Sequence, residues 1–236
     1  SRQTLLFSAT LEGEIAKIAR QILKQPVRLQ VSGVKVKHES ITQHVHQADD
    51  YRHKRALLSH ILGRDELNQA IIFTATNKGA DELSVRLKQD GLTCEALHGD
   101  MKQGMRRRTV ENLKRKKTRV LVATDVAARG LDIKGISHVI NFDLPMQAED
   151  YVHRIGRTGR AGASGLAVSL VTPDENNLLR GIERLTKQKI TRMDYEVDKL
   201  MVPLSADQLP PEEKPAQQQR QPRKPRESQG RGRNSN

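Results

Sequence analysis

Aromatic side chains are scarce in this sequence, which has no Trp, three Phe and three Tyr among its 236 residues. Proteins that hold single-stranded nucleic acid without sequence preference commonly stack its bases on aromatic rings. A chain with so few rings has little capacity for that mode. If nucleic acid is its partner, contacts to the sugar–phosphate backbone should dominate and sequence specificity should be weak.

Cysteine and long apolar runs are also lacking. The lone Cys94 excludes a disulfide framework within the chain and fits a reducing cytosol. No apolar run approaches the length of a membrane span, and the first residues lack the basic-then-apolar layout of a signal peptide. They also lack an initiator Met, which suggests the middle of a longer protein. We therefore expect a cytoplasmic protein without a membrane partner.

Positive charge is abundant, with 41 Lys and Arg against 28 Asp and Glu, a net charge of +13 and a pI of about 10.1. This balance favours an anionic partner, with nucleic acid first and an acidic membrane surface second. Residues 203–236 are rich in Pro, Gln, Arg and Gly without apolar periodicity, which predicts a disordered basic tail. The tail is either a tether for nucleic acid or a solubilising extension.

Apolar runs alternate with helical patterns from about residue 41 onward. The runs cover 70–73, 94–97, 119–124, 138–142 and 166–171, and the helical patterns cover 52–62, 78–89, 103–115, 147–155 and 174–187. This alternation predicts an α/β domain with a parallel sheet and helices on both faces. We assign the domain to 41–202 and a linker to 34–40.

Residues 1–33 follow another pattern. The apolar run 4–10 is strand-like, Pro26 ends a helical pattern, and 27–31 predicts a short strand. The helical pattern rests on apolar residues at helical spacing, namely Ile15, Ile18, Ala19 and Ile22. The segment is too small to bury a core of its own. It is therefore predicted to be the C-terminal remnant of a preceding domain.

Small, polar and glycine residues follow the predicted strands, at 74–79, 98–106, 124–133 and 143–145. In open parallel sheets, ligands bind beyond the carboxyl ends of the strands, where helix N-termini also favour phosphate. The sequence therefore predicts a phosphate-binding site along this edge. His44 and His46 alternate on a strand without a Cys or carboxylate cluster at metal spacing, so we expect no metal site there.

Several motifs in these loops resemble those of DEAD-box RNA helicases. "VLVATDVAARGLDI" and "HRIGRTGR" match the fifth and sixth motifs of that family, "SAT" the third and "IIFTATNKGADEL" the fourth. "HGDMKQGMR" fits its HGD and Gln-x-x-Arg elements. The resemblance runs from residue 1 to about 200 with every motif in order. The "RLTKQKI" run and the basic tail are similar to bacterial ribosome-assembly members.

The resemblance implies an ATP-dependent RNA helicase in which two RecA-like domains bind ATP and RNA in the cleft between them. This chain would supply the second domain. It contains neither the phosphate loop nor the Asp-Glu-Ala-Asp box that holds Mg²⁺. We therefore expect Mg²⁺ to be bound through the first domain, and the fragment alone to be inactive as an ATPase.

The implied activity of the intact protein is local unwinding of short RNA duplexes, coupled to ATP hydrolysis. The implied partners are RNA and ribosomal precursor particles, and the protein would be a monomer. A non-catalytic RNA-binding module is the main alternative. A DNA translocase is disfavoured by the sixth and fourth motifs.

The sixth motif carries the implied catalytic residues. Arg157 and Arg160 resemble arginine fingers that reach the γ-phosphate of ATP, and such a finger is worth roughly 10³-fold or more in rate. The alternative is a solvated basic patch. His153 resembles a residue that couples the two domains, whereas Arg154 is expected to pack or pair locally.

The fifth motif carries the implied nucleotide contacts. Asp132 resembles the carboxylate that binds the ATP ribose, with a turn cap as the alternative. Gly130 would let the backbone approach the nucleotide. Arg129 resembles an interdomain contact, with an ordinary salt bridge as its alternative. In the third motif, Ser8 and Thr10 resemble the element that links hydrolysis to unwinding.

A third group of residues resembles contacts to the RNA backbone, and its hydroxyl, amide, guanidinium and bare N–H groups suit phosphate and 2′-OH. Its members are Thr76, Gly99, Gln103, Arg106 and Thr124. Asp125 is expected to cap the short helix after Thr124. The neighbouring Arg107 and Arg108 are interpreted as a solvated basic face.

Overall fold

The computed structural model describes residues 2–8, 13–29, 40–131, 133, 135–160 and 162–193, without the side chain of Glu14. The predictions for Thr10, Asp132 and the tail at 203–236 lie outside the described residues. The same holds for the predicted linker up to residue 39.

Among the described residues, seven strands form one sheet in the order β3-β4-β2-β5-β6-β1-β7, and every pairing in it is parallel. Their bounds are β1 Ile41–Gln47, β2 Ala70–Phe73, β3 Cys94–Leu97, β4 Val120–Ala123, β5 His138–Asn141, β6 Gly165–Val171 and β7 Thr191–Arg192. The predicted parallel sheet is confirmed. β7 was not predicted, because this strand has only two residues and both are exposed.

Seven α-helices and one 3-10 turn lie among the described residues. Their bounds are α1 Gly13–Ile22, α2 Tyr51–Leu62, α3 Asn77–Gln89, α4 Gln103–Lys114, α5 Asp125–Ala128, α6 Ala148–Ile155 and α7 Asn176–Thr186, with the turn at Pro173–Glu175. Each predicted helix is confirmed with small shifts at its ends. Within the described part of the chain, no helix has the length and apolar character needed to cross a membrane.

The core lies on both faces of the sheet. On one face, α2 and α3 pack against alternate residues of β2, β4, β5 and β6. On the other face, α4 and α5 cover β2 to β5, while α6 and α7 cover β1 and β6. The central strands β2, β4 and β5 are buried along their whole length, as expected for parallel strands covered on both sides. The prediction of helices on both faces is confirmed.

The first 29 residues correct two strand predictions. The described residues of the runs 4–10 and 27–31 form no strand, and Phe7 is 88 % exposed. An extended run is stable as a strand only when a neighbouring strand takes its backbone hydrogen bonds, and no described residue pairs with these runs. The predicted helix α1 does form, but Ile18 and Ile22 on it remain exposed.

Candidate functional site

The predicted loops meet at one edge of the sheet, where all the strands have their carboxyl ends. Gly99, Thr124 and Thr76 follow β3, β4 and β2, which are neighbours in the sheet. We call this part of the edge the polar half. Asp143 and Thr172 follow β5 and β6, and the loop at 48–50 follows β1. We call this second part the acidic half.

Thr124 lies at the centre of the polar half with its hydroxyl unused. The residue is 7 % exposed and sits at the N-cap position of α5 without making a side-chain cap bond. Its Oγ1 is buried and has no hydrogen-bond partner among the described residues. A buried hydroxyl without a partner costs about 1–3 kcal/mol, so a ligand that bonds to it would recover that loss.

The hydroxyl of Thr76 already has a structural role. Its Oγ1 accepts the N–H of Gly79 at 2.9 Å and so caps α3, while the hydroxyl proton is still able to donate. Gly99 lies close to this helix start, since a Cβ on Gly99 would be 3.7 Å from Nδ2 of Asn77. The predicted backbone contacts Thr76 and Gly99 therefore belong to loops that approach each other.

A buried histidine ties those two loops together. His98 is 5 % exposed, and its Nε2 lies 2.9 Å from Oδ1 of Asp81 on α3. Its Nδ1 is buried and has no partner among the described residues. The HGD element is recognisable in the sequence, but the role of His98 is not, because its pairing with Asp81 depends on how α3 packs beside β3.

Gln103 and Arg106 lie in the first turns of α4, which starts beyond the β3 loop. The Nε of Arg106 is buried and has no acceptor among the described residues. The structure therefore brings the five predicted RNA-contact residues to one side of the edge, on three adjacent strand ends and the helix that follows β3.

Arg154 is the structural anchor of the sixth motif. It is 2 % exposed, and its Nε and Nη2 each donate to a carboxylate oxygen of Asp125 at 2.7 Å. Its Nη1 donates to the Asn141 side chain at 3.2 Å and to the Asp143 carbonyl at 2.6 Å. The guanidinium carbon also lies 4.9 Å from the ring centroid of Phe73. The predicted local pairing of Arg154 is confirmed.

The predicted cap by Asp125 is wrong. Asp125 is the first residue of α5, and both of its carboxylate oxygens accept from Arg154. The bidentate pair with the buried guanidinium uses both carboxylate oxygens, so the pair decides where the carboxylate points. Asp125 still orients the Thr124 loop, but it does so by fixing the start of α5 to α6.

Thr158 and Gly159 fix the path of the sixth motif. The Thr158 hydroxyl is buried and lies 2.6 Å from the carbonyl of Ile136, to which it donates. Gly159 has φ +63°, and a Cβ there would lie 2.5 Å from Cγ1 of Ile41. Only glycine fits this backbone position, so the glycine sets the direction in which the chain leaves α6.

Arg157 and Arg160, the two predicted fingers, are anchored through backbone carbonyls. Nη1 of Arg157 donates to the Leu131 carbonyl at 2.9 Å, and Nε of Arg160 donates to the Gly156 carbonyl at 2.7 Å. These hydrogen bonds orient the two guanidiniums. Arg157 thereby lies beside the loop that leads to Asp132.

Arg129, Gly130 and His153 lie around the same loop. Arg129 donates to Asp150 at 2.6 Å, which is the salt bridge weighed as its alternative, although its side chain is 61 % exposed. Nδ1 of the half-exposed His153 lies 3.8 Å from the same carboxylate. Gly130 adopts φ +75° with open space where a Cβ would be. Ser8 is exposed on the N-terminal segment.

The acidic half contains a closed network around Lys54. Its buried ammonium donates to Glu175 at 2.5 Å and to the Phe142 carbonyl at 2.8 Å, and lies 3.8 Å from Asp143. Asp143 accepts the N–H of Ala75 at 2.8 Å, just before Thr76. Burial raises the pKa of Asp143, an effect that the Ala75 N–H and Lys54 oppose. Lys54 was missed because an isolated lysine in a helical pattern gives no sequence signal.

Cys94 is a buried free thiol, and burial raises its pKa to about 12, so the unreactive thiol form dominates at neutral pH. Across the described ranges, no group of three or more His, Cys, Asp or Glu side chains could hold a metal ion.

Comparison with known proteins gives a family for this arrangement. The family model of the helicase conserved C-terminal domain matches residues 53–162, which include the fourth, fifth and sixth motifs. The DEAD-box ATP-dependent RNA helicase CshA of Bacillus cereus is 44 % identical over 194 residues, which are 82 % of this chain and 37 % of that protein. The chain therefore spans little more than a third of the length of this relative.

Solved structures share the fold. A crystal structure of the E. coli DEAD-box protein SrmB, bound to regulator of ribonuclease activity A, matches with a TM-score of 0.63 and 41 % identity over 70 % of this chain and 96 % of that chain. S. cerevisiae Dbp5 bound to RNA and ADP BeF3 matches with a TM-score of 0.71 and 32 % identity over 80 % of this chain and 50 % of that chain.

The sheet order, the motifs at its carboxyl edge and these matches agree with one another. The match to SrmB covers nearly all of the SrmB chain at an identity that establishes common descent. The chain belongs to the DEAD-box family and carries its RecA-like helicase C-terminal domain.

Proposed function

We propose that the chain is the second RecA-like half of an ATP-dependent RNA helicase that separates short RNA duplexes locally. The observation that carries the proposal is the set of side chains brought together at the carboxyl edge of the sheet. The Arg157 guanidinium lies beside the fifth motif, and the polar groups without a partner among the described residues of the polar half lie on adjacent strand ends and on the helix that follows β3. The names of the relatives agree, since CshA is an ATP-dependent RNA helicase and Dbp5 was solved with RNA and ADP BeF3.

Arg157 and Arg160 would act on ATP as arginine fingers. Phosphoryl transfer develops charge on the equatorial oxygens of the γ-phosphate, and a fixed guanidinium stabilises that charge. Hydrogen bonds to the carbonyls of Leu131 and Gly156 hold these two guanidiniums in place. Gly130 leaves space for the nucleotide beside them, and Asp132 would take the ribose hydroxyls. Mg²⁺ would be held by the other RecA-like half through its Asp-Glu-Ala-Asp box.

RNA would be bound along the polar half through its backbone. Thr76, Gly99, Gln103, Arg106 and Thr124 offer groups that bond to phosphate and 2′-OH without reading the base. ATP and RNA together would close the two halves, bend one RNA strand and open a short duplex. Action as a monomer in the cytoplasm, on ribosomal precursor particles, completes the proposal and rests on the sequence resemblance alone.

The test is complementation of this chain with a matching first RecA-like domain. RNA-stimulated ATP hydrolysis should appear with both parts and be absent with this chain alone, because the phosphate loop is missing from its sequence. Arg157→Ala should then lower the turnover by about 10³-fold or more while RNA affinity stays nearly unchanged. Arg108→Ala is the matched control and should leave both quantities unaltered.

Two outcomes would contradict the proposal. Equal losses of turnover and RNA affinity in Arg157→Ala would mean that this arginine is part of a general basic patch. RNA binding without any turnover in the complemented protein would favour the second candidate, a non-catalytic RNA-binding module. The unpaired Thr124 hydroxyl supports that candidate equally well, since it bears on RNA and not on ATP.

A further inference from the structure

A groove of about 530 Å³ lies between α4 and α5, next to the polar half. Its apolar lining comes from Leu97 at the end of β3, Val110 on α4, Ala127 on α5 and Leu131 beyond it. Small-molecule sites in proteins have volumes of about 300–1,000 Å³ and a mostly apolar lining with a few polar groups. The groove has the volume of such a site and an apolar floor, but its α4 side is more polar than that of a typical small-molecule site.

The polar groups of the groove come from one side of α4. They recur at intervals of three and four residues, as neighbours on a helix surface do, and they are Gln103, Arg106, Arg107, Glu111 and Lys114. At a rise of about 1.5 Å per residue, this strip is about 16 Å long. It begins at two residues that are also predicted to contact RNA.

The strip is positively charged. Glu111 also lines the groove, but it pairs with Arg115, whose positive charge offsets its own. Arg106, Arg107 and Lys114 form no ion pair with any carboxylate in the part of the chain that the structure describes. The apolar floor of the groove is thus bordered by three cations without anionic partners.

This combination matches the chemistry of a nucleotide in a single strand. A nucleobase is flat and largely apolar on its faces, and its edges accept and donate hydrogen bonds. Single-stranded RNA is commonly recognised by splayed bases that stack on aromatic rings or on arginine guanidinium planes. The chain has few aromatic rings, but Arg106 and Arg107 supply guanidiniums beside the apolar floor.

We propose that this groove takes one unstacked nucleobase of the bound RNA strand, while Arg107 and Lys114 hold the flanking phosphates. The proposal rests on the proposed binding of RNA along the polar half and extends the strand beyond Gln103 and Arg106. The proposal also assigns different roles to two adjacent arginines. Arg107 lines the groove, whereas Arg108 does not and keeps its interpretation as a solvated cation.

The first experiment compares Arg107→Ala with Arg108→Ala in the 236-residue chain. Binding to a fluorescently labelled ten-nucleotide oligouridine is measured by anisotropy. The two variants remove the same charge from neighbouring exposed positions, so general electrostatics affect them equally. We expect Arg107→Ala to weaken binding roughly fivefold and Arg108→Ala to leave it almost unchanged. Equal losses of RNA affinity in the two variants would overturn the proposal that the groove binds a base.

The second experiment detects the base directly. The same oligonucleotide with every uridine replaced by 4-thiouridine is photo-crosslinked to the chain, and the attached residues are mapped by mass spectrometry. Because the reactive group is on the base, crosslinks at 106–114 or 127–131 show a base in the groove. Crosslinks confined to other parts of the chain would contradict the proposal, including the case in which the groove binds an acidic peptide instead.

A variant that fills the groove completes the test. Val110→Phe adds volume to the apolar floor and should reduce both RNA affinity and crosslinking within the groove, with folding checked by circular dichroism. If Val110→Phe proves unfolded, Lys114→Ala replaces it and should weaken RNA binding as Arg107→Ala does. Failure of the unaltered chain to bind the oligonucleotide would contradict the proposed function itself. If the unaltered chain binds the oligonucleotide and the groove variants behave like Arg108→Ala, only the proposal about the groove is contradicted.

Discussion

Thr124 and Thr172 occupy equivalent places in the two halves of one edge, since each follows a buried strand and precedes a short helical segment. The Thr172 hydroxyl donates to Glu175 at 3.0 Å, and its N–H donates to the same carboxylate. The Thr124 hydroxyl has no partner among the described residues. The same residue type at the same topological position is therefore used for structure in one half and left unpaired in the other.

The difference extends to the charges around each threonine. In the acidic half, Lys54, Glu175 and Asp143 satisfy one another. Beside the polar half, Arg106, Arg107 and Lys114 on α4 form no ion pair with a carboxylate within the described residues.

Nε2 of Gln47 and Nε2 of His53 are also buried without a partner among the described residues, at the end of β1 and the start of α2. What favours the polar half as the RNA-binding half is therefore the combination of an unused Thr124 hydroxyl with cations on α4, and not unpaired polar groups alone.

The largest expected effect comes from Arg154, which joins the two halves through Asp125 on one side and the Asp143 carbonyl on the other. Arg154→Ala leaves the Asp125 carboxylate without its partner, and breaking a buried ion pair costs about 3–5 kcal/mol. Urea unfolding should show this loss of unfolding free energy, with Arg108→Ala within about 0.5 kcal/mol of the parent protein. A small loss for Arg154→Ala would mean that the halves are held together elsewhere.

The second-largest expected effect is a pH dependence of stability. It comes from His46 on β1, the strand that leads into the acidic half. Burial, with nearby His44, Arg64 and His60, lowers the pKa of His46 from its ordinary value of 6.5 to about 4. The unfolded chain therefore takes up the proton first as pH falls. Stability is fully present above pH 6.5 and decreases by up to about 3 kcal/mol as the pH approaches 4.

Unfolding midpoints in urea between pH 7 and 4 measure this effect. His46→Leu should show a flatter dependence than the parent protein, while His44 and His138, whose pKa values are also lowered by burial, keep part of the slope. An unchanged slope in His46→Leu would show that other groups carry the acid sensitivity.

The smallest expected effects come from substitutions of the two threonines, which should change stability and RNA affinity in opposite ways. Thr172→Val removes the hydroxyl bonded to Glu175 and should cost about 1 kcal/mol of unfolding free energy without changing RNA affinity. Thr124→Val removes an unpaired buried hydroxyl and should leave stability equal or slightly higher, but weaken RNA binding. Urea unfolding and RNA anisotropy on the same two proteins measure both quantities. The reverse pattern would mean that the acidic half binds the RNA.

Periodicity alone predicted the helices and the central strands, because burial on both faces forces continuous apolar runs in β2, β4 and β5. The same signal failed for residues 4–8 and 27–29, where apolar residues are present but no neighbouring strand among the described residues pairs with them. A strand is stable only when a neighbouring strand pairs with it, so an apolar sequence pattern alone is not sufficient to form one.

The site shows a similar division. Motif spacing identified the loops, and the sequence also predicted that Arg154 pairs locally. It could not identify the partner, and the cap predicted for Asp125 is wrong because Arg154 binds that carboxylate. The two residues are far apart in the chain, and only the packing of α6 beside α5 brings them together.

The sequence by itself determined the family, the parallel sheet and the edge of the sheet at which the polar loops meet, because these follow from local patterns and chain order. The tertiary structure decided which groups are already paired. Thr124 and Thr172 cannot be told apart by spacing, and neither can Arg107 and Arg108. Hydrogen bonds and ion pairs depend on distances between distant parts of the chain, and those distances exist only in the folded protein.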